Sequence, residues 1–383
     1  MIATTPVHPD APELADYCAG LFGIYVHVPF CTAKCGYCDF ASFDGMSDLA
    51  GTYVEGLCQE VSKSGISSCD TVFVGGGTPT SLGPDLLGKL IAAIPRSDEA
   101  EVTVEANPES LTADVAIAAA AAGANRISIG MQSALPHVLK SLGRRHNFGA
   151  VAAAVDAARG AGIGRLNLDL IYGAPGEALA DWRQSLDAAI ALDPGHISAY
   201  SLTVEAGTKL WRQVRDGHCR APDDDSQAEK MSVAAEILAN AGYVRYEVSA
   251  WAKPGEACRH NLMYWGGGEY RGFGSGAHSH IGGTRFWNHR DPRSYLSDLG
   301  VLSAGSERIT SEIEVFDRVS LGMRRAAGVS ISELPRGCEG AIDFLSGAGL
   351  VLATDGRLRP TAKGFALGNE IVIRLLSVAG SEC

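Results

Sequence analysis

Three thiols set the chemistry. Cys31, Cys35 and Cys38 fall at C-x3-C-x2-C spacing inside YVHVPFCTAKCGYCDF, residues 25–40. Soft thiolates on one short loop suit zinc or an iron–sulfur cluster, because a single loop can wrap one metal centre. Zinc needs a fourth protein ligand, and no C-x2-C or H-x3-H pair downstream supplies it. Three thiols instead leave one iron of a cubane open to an outside ligand. A c-type haem attachment is excluded, since Cys38 is followed by Asp39 and not by His.

Other polar groups recur where β-branched runs end. VFVGGGTPT offers Gly76 and Gly77 with Thr78, a stretch where backbone can approach a ligand closely, although a tight turn alone would explain it. TVEANPES places Glu105 beside a turn-forming Asn107-Pro108, either as an acceptor for hydroxyls or an ammonium or as a solvated loop carboxylate. ISIGMQS ends in Gln132, and SLGRRH brings the adjacent Arg144 and Arg145, either of them able to hold a carboxylate through two parallel bonds. Asp169 interrupts the apolar run LNLDLIYG and needs a hydrogen-bonding partner, structural or ligand, if buried.

The elements that must position these groups follow a β-then-α rhythm. Strands are expected at 23–28, 71–74, 101–105, 126–131, 165–171 and 196–203. Helices are expected between them, clearest at Leu49, Tyr53, Leu57 and Val61 and in the Ala-rich stretches 113–122 and 150–161. Six such units imply parallel strands with right-handed crossovers, short of the eight of a closed barrel. The expected fold is therefore α/β, a partial (β/α)6 barrel, with sites at the carboxyl ends of the strands. A further helix is expected at 226–241, then a strand-like YVRYEVSAW.

Residues 258–280, CRHNLMYWGGGEYRGFGSGAHSH, are too rich in glycine to suggest a regular element. Their aromatic and imidazole groups suit a flat aromatic ligand, with His260, His278 or His280 able to ligate iron, or else a long loop over the barrel mouth. From about residue 307 two or three helices, a hairpin at Asp355-Gly356 and a final helix describe a small winged-helix-like unit. The boundaries are a tail at 1–15, a core at 16–250, the Gly/His/aromatic segment at 251–300 and a carboxyl-terminal domain at 301–383.

A formal net charge of -12 argues against a nucleic-acid partner. The first basic residue is Lys34, so no signal-peptide basic region is evident, and the longest apolar run, 115–122, is too short for a membrane helix. The cytoplasm is the expected compartment. Cys18, Cys58, Cys69, Cys219, Cys258, Cys338 and Cys383 lack metal spacing and read as bystanders.

The cysteine spacing resembles that of the radical S-adenosylmethionine superfamily. Within it the chain is similar to oxygen-independent coproporphyrinogen III dehydrogenases and to the HemW-type haem chaperones, through GGGTP, EANPE, RISIGMQS, LGRRH, LDLIYGAPG and HNLMYW. The resemblance implies a [4Fe-4S] cluster on Cys31, Cys35 and Cys38. It also implies S-adenosylmethionine held by Tyr25, Tyr37, Gly76, Gly77, Thr78, Glu105, Gln132, Arg144 and Asp169. Three features favour the chaperone branch over the dehydrogenase: Phe40 where the latter usually carries a fourth cysteine, a short amino-terminal segment, and the HNxxYW match.

That branch implies haem as a third bound group, with His260, Asn261, Tyr264 and Trp265 as contacts, and client haemoproteins of the respiratory chain as partners. Contact with a membrane face follows from the resemblance only, and a homodimer stays open. Enzymatic turnover is undecided, with coproporphyrinogen III dehydrogenation to protoporphyrinogen IX as the alternative function.

Overall fold

The computed structural model describes residues 20–299 and 304–377. The expected tail and the thiols Cys18 and Cys383 lie outside the described residues. Among the described residues twelve strands form one sheet. Its centre is β1 (Phe22–Val28), β2 (Thr71–Gly76), β3 (Glu101–Ala106), β4 (Arg126–Gln132), β5 (Arg165–Tyr172) and β6 (His196–Ser201), each parallel to the next. Sequential order with helices between successive strands is the winding of a barrel left open, the expected partial (β/α)6 architecture.

Alternation along each strand decides what faces where. Ile24, Val26, Val72, Val74, Val102, Val104, Ile127, Ile129, Leu166, Leu168 and Ile197 are buried in a core shared with Leu57, Leu90, Val115, Val155 and Trp182 of the covering helices. The residues between them, among them Tyr25, Phe73, Glu105, Ser128, Asn167, Asp169 and Ser198, take the concave face. The inside of the half-barrel is thus polar, and polar groups there must find partners or ligands.

The sheet continues past residue 250. Beyond β6 lie β8 (Ala250–Ala252) and β7 (Val244–Arg245), both antiparallel additions. Against β1 lies β9 (Glu269–Phe273), parallel, followed by the antiparallel β10 (His278–Ile281), β11 (Thr284–Trp287) and β12 (Gly305–Arg308). The glycine-rich stretch 258–280, expected to be irregular, is therefore a helix (Arg259–Trp265) and two strands. Several of its glycines sit at the joints. Gly267, Gly274 and Gly276 have φ of 72°, 95° and 68°, which few residues with a side chain adopt.

The carboxyl-terminal unit has its own core of Val319, Leu345, Leu350, Leu358, Ile371 and Leu375. Helices Ser311–Gly322 and Glu339–Gly347 precede the expected hairpin, β14 (Val351–Thr354) and β15 (Arg357–Pro360). Positive φ at both Asp355 and Gly356 defines the two-residue turn. A two-residue strand, β13 (Val329–Ser330), completes a small antiparallel sheet.

Candidate functional site

Pro29 ends β1, and the loop that follows is pinned back on itself: Cys31 N–H donates to Phe43 O at 3.0 Å and Phe43 N–H to Pro29 O at 2.7 Å. Lys34 reinforces the fold-back through Ser42 O at 2.9 Å. This brings Cys31, Cys35 and Cys38 to the rim of one cavity of about 430 Å³ at the carboxyl ends of the strands. Burial pushes the Cys31 and Cys38 thiols up, against hydrogen bonds that pull them down from Thr78 and Ser42 at Cys31 and from Phe40 and Ser42 at Cys38.

The opposite wall comes from β2. Gly77 N–H donates to Val28 O at 2.7 Å and Thr78 N–H to Phe30 O at 2.8 Å, drawing the glycine loop under the thiols. A Cβ on Gly77 would lie 2.6 Å from Phe30 O, and one on Gly75 would lie 2.8 Å from Glu105 Oε2. The glycines are required by this close backbone approach, which leaves a cradle that any side chain would fill.

Glu105 accepts from Gly76 N–H at 3.0 Å. Its carboxyl is pushed up to about 8, first by burial and then by the nearby Asp169, against the pull of that N–H. Asp169 has structural partners, accepting from Ser128 at 2.7 Å and Asn167 at 2.8 Å, and lines the cavity as well. Gln132 sits at a register shift between β4 and β5 with φ of 61°, a strained bulge that re-aims its side chain. Arg144 donates to Asn107 Oδ1 at 2.6 Å, Gly130 O at 3.0 Å and Cys35 Sγ at 3.6 Å, while its buried Nε has no hydrogen-bond partner among the described residues.

Eight of the nine residues expected at S-adenosylmethionine line this one cavity with the thiols; Tyr25 does not. Its hydroxyl pairs with His27 Nδ1 at 2.9 Å, and it lines a neighbouring cavity. Asn107 was missed as a site residue although it lies in EANPE. It joins Arg144 to Thr78, donating to Thr78 Oγ1 at 2.9 Å. Tyr200 and Ser201 at the end of β6, with Leu202 and Thr203 after it, complete the wall.

His260 lies elsewhere. Its imidazole is fully buried beneath the half-barrel, pairing with Thr71 through Nδ1 at 2.9 Å and stacked on Phe73. Burial pulls its pKa down to about 3, so it is a neutral ring with no face open to a planar ligand. The helix it belongs to is the barrel floor: Glu101 accepts from Arg259 N–H at 3.2 Å and His260 N–H at 3.1 Å at the helix start. Asn261 and Trp265 are half-buried on the same helix, with Trp265 beneath the Arg324 guanidinium. Of the four, Tyr264 lines the cavity that also holds Tyr25.

The donor set suits a cubane cluster. Each of three thiols can take a different iron, and the cradle on the far side leaves room for a ligand at the fourth. A mononuclear site does not arise among the described residues, where no three His, Cys, Asp or Glu side chains are spaced for one ion.

A half-barrel of six parallel strands, with a three-cysteine loop after the first, defines a radical S-adenosylmethionine protein. Residues 25–189 match the model of the radical SAM superfamily. The structure resembles that of coproporphyrinogen III oxidase (HemN) from Escherichia coli, with a TM-score of 0.80 over 95% of this chain and 92% of that one; at 21% identity this speaks for the fold alone. The heme chaperone HemW of Mycobacterium tuberculosis is 39% identical, covering 96% of this chain and 98% of its own. That of Bacillus subtilis is 35% identical, covering 91% and 97%. The chain belongs to the HemW family.

Proposed function

We propose that this protein is a haem chaperone of the cytoplasm. It holds a [4Fe-4S] cluster on Cys31, Cys35 and Cys38 with S-adenosylmethionine beside it, and passes haem to client haemoproteins, including respiratory ones. The observation that carries the reading is the shared cavity, which gathers the thiols and eight of the residues expected at S-adenosylmethionine in a chain of the HemW family. Among the described residues no helix is long and apolar enough to cross a membrane, so client contact at a membrane would be peripheral.

When bound, the cluster supplies one-electron chemistry at its open iron. The chain's own residues do the positioning. Arg144 holds the Cys35 sulfur and Asn107, the glycine cradle admits the ligand's polar end to backbone groups, and Glu105 with Asp169 offers acceptors deeper in. Anaerobic reconstitution with iron and sulfide, then one sample split between hemin transfer to an apo-haemoprotein and coproporphyrinogen III turnover, tests the function. Transfer without turnover is expected. Protoporphyrinogen formation without transfer would replace the chaperone with the dehydrogenase.

Glu105 makes S-adenosylmethionine binding pH-dependent. Free, the carboxyl is largely protonated at neutral pH, because its value stands at about 8. A cationic ligand group favours its ionised form, so binding releases a proton and affinity rises as pH climbs toward that value. Calorimetry in buffers of different ionisation enthalpy should register the release, and Glu105→Gln should remove it. Equal proton counts in the two proteins would show that Glu105 does not meet the ligand's charge.

A further inference from the structure

A second cavity, of about 670 Å³, adjoins the first and shares Asp39, Phe40, Gly76 and Glu105 with it. Its size is within the roughly 300–1,000 Å³ typical of small-molecule sites. Its walls are unlike those of the cluster cavity. Tyr25 and Tyr264 stand on one side, with Tyr270 set edge-on to Tyr264 at 4.5 Å between centroids. In the same cavity the exposed His278 of β10 stacks on Trp287 of β11 at 5.5 Å, in a register that pairs the two residues directly. Phe40, 62% exposed, forms the lip between the cavities.

We infer that this second cavity is the haem site, with the aromatic walls against the porphyrin, His278 as the iron ligand and Arg290 as the partner of a propionate. The inference rests on the chaperone reading above and names the place of its cargo. Aromatic faces suit a flat macrocycle, and imidazole is a usual ligand of haem iron. His278 is preferred to the cavity's other two imidazoles because the buried His27 is engaged through both ring nitrogens, by Tyr25 and Ala41 O at 2.9 Å each, and His289 Nε2 is engaged by Asp298 at 3.1 Å. Among the described residues no hydrogen bond occupies the His278 ring, and burial with the nearby Arg285 lowers its pKa, keeping the ring neutral and able to bind metal. Arg290 lines the same cavity and donates to Asp39 O at the shared rim.

This placement also gives HNLMYW a physical role. Tyr264 presents its ring to the cavity, and His260 packs edge-on behind it at 4.6 Å. His260 is then a positioning residue for an aromatic wall, and no bond from it to iron is required.

The test is hemin titration of the reconstituted full chain, followed by Soret and low-temperature EPR spectra. His278→Ala should lower hemin affinity by at least about tenfold, the lower end of what disturbing a metal's ligand sphere costs. The variant should also lose the imidazole-ligated spectrum and recover it when free imidazole is added. His278→Tyr should keep binding but move the Soret band, which a packing role would not produce. Because His278 is exposed, both variants should fold, as a thermal melt would show. If wild type binds no hemin, the chaperone reading itself fails. If wild type binds hemin and both variants match its affinity and spectrum, the chaperone reading stands and this site is overturned.

Discussion

Cys35→Ala is expected to abolish cluster retention. Reconstituted wild type should hold about four irons and four sulfides per chain, as a cubane requires. The variant, left with two thiols, should fall well below half that content and lose the reduced-cluster EPR signal. Cys35 is the sulfur that Arg144 contacts at 3.6 Å, so its removal also unties the guanidinium from the loop. The thiol is half-buried on a loop outside the main core, and the metal-free variant should stay within about 0.5 kcal/mol of wild-type stability. Cys58→Ala is the control. That thiol is half-buried on the helix Ala50–Lys63, outside the cavity, and its loss should leave iron and sulfide unchanged. Full cluster content in the Cys35 variant would mean that the loop cysteines are not the ligands.

The half-barrel was legible because six β-branched runs recur with helical stretches between them, and several of the runs alternate apolar with polar residues along their length. The same alternation put Asp169 on the concave face, where Ser128 and Asn167 answer the question of what stabilises a carboxylate inside an apolar run. The bulge at Gln132 was not legible. Nothing in ISIGMQS marks a positive φ, which arises from the register shift against β5. The stretch 258–280 misled in the other direction: its glycines suggested irregularity, yet several serve as joints between regular elements, and β9 is formed only because β1 offers a parallel edge. His260 and Tyr264, one turn apart on the same helix face, stay in contact at 4.6 Å, yet that one turn of rise leads from the buried floor to a cavity wall.

The barrel floor depends on Glu101, and Glu101→Ala is expected to cost about 3–5 kcal/mol, the usual penalty for breaking a buried ion pair from one side. The fully buried carboxylate accepts from Arg165 at 3.0 Å and caps the helix Arg259–Trp265, with the buried Arg126 on the neighbouring strand. Burial alone would raise its pKa, but Arg126, Arg165 and the His260 and Arg259 N–H groups together hold it below the ordinary value. A lowered carboxyl pKa gives stability that is complete above the unfolded value of about 4.3 and is lost as pH falls through the folded one. Urea unfolding should therefore show a wide gap between wild type and variant at neutral pH that narrows on acidification below that value. A gap that stays constant into acid would mean that packing, not charge, makes Glu101 important. The milder Glu101→Gln tests the link to function, because it keeps the shape but weakens the cap that fixes the floor helix. Tyr264 should then shift and hemin binding weaken, while iron and sulfide content stay at wild-type levels, separating the floor that shapes the second cavity from the loop that carries the thiols.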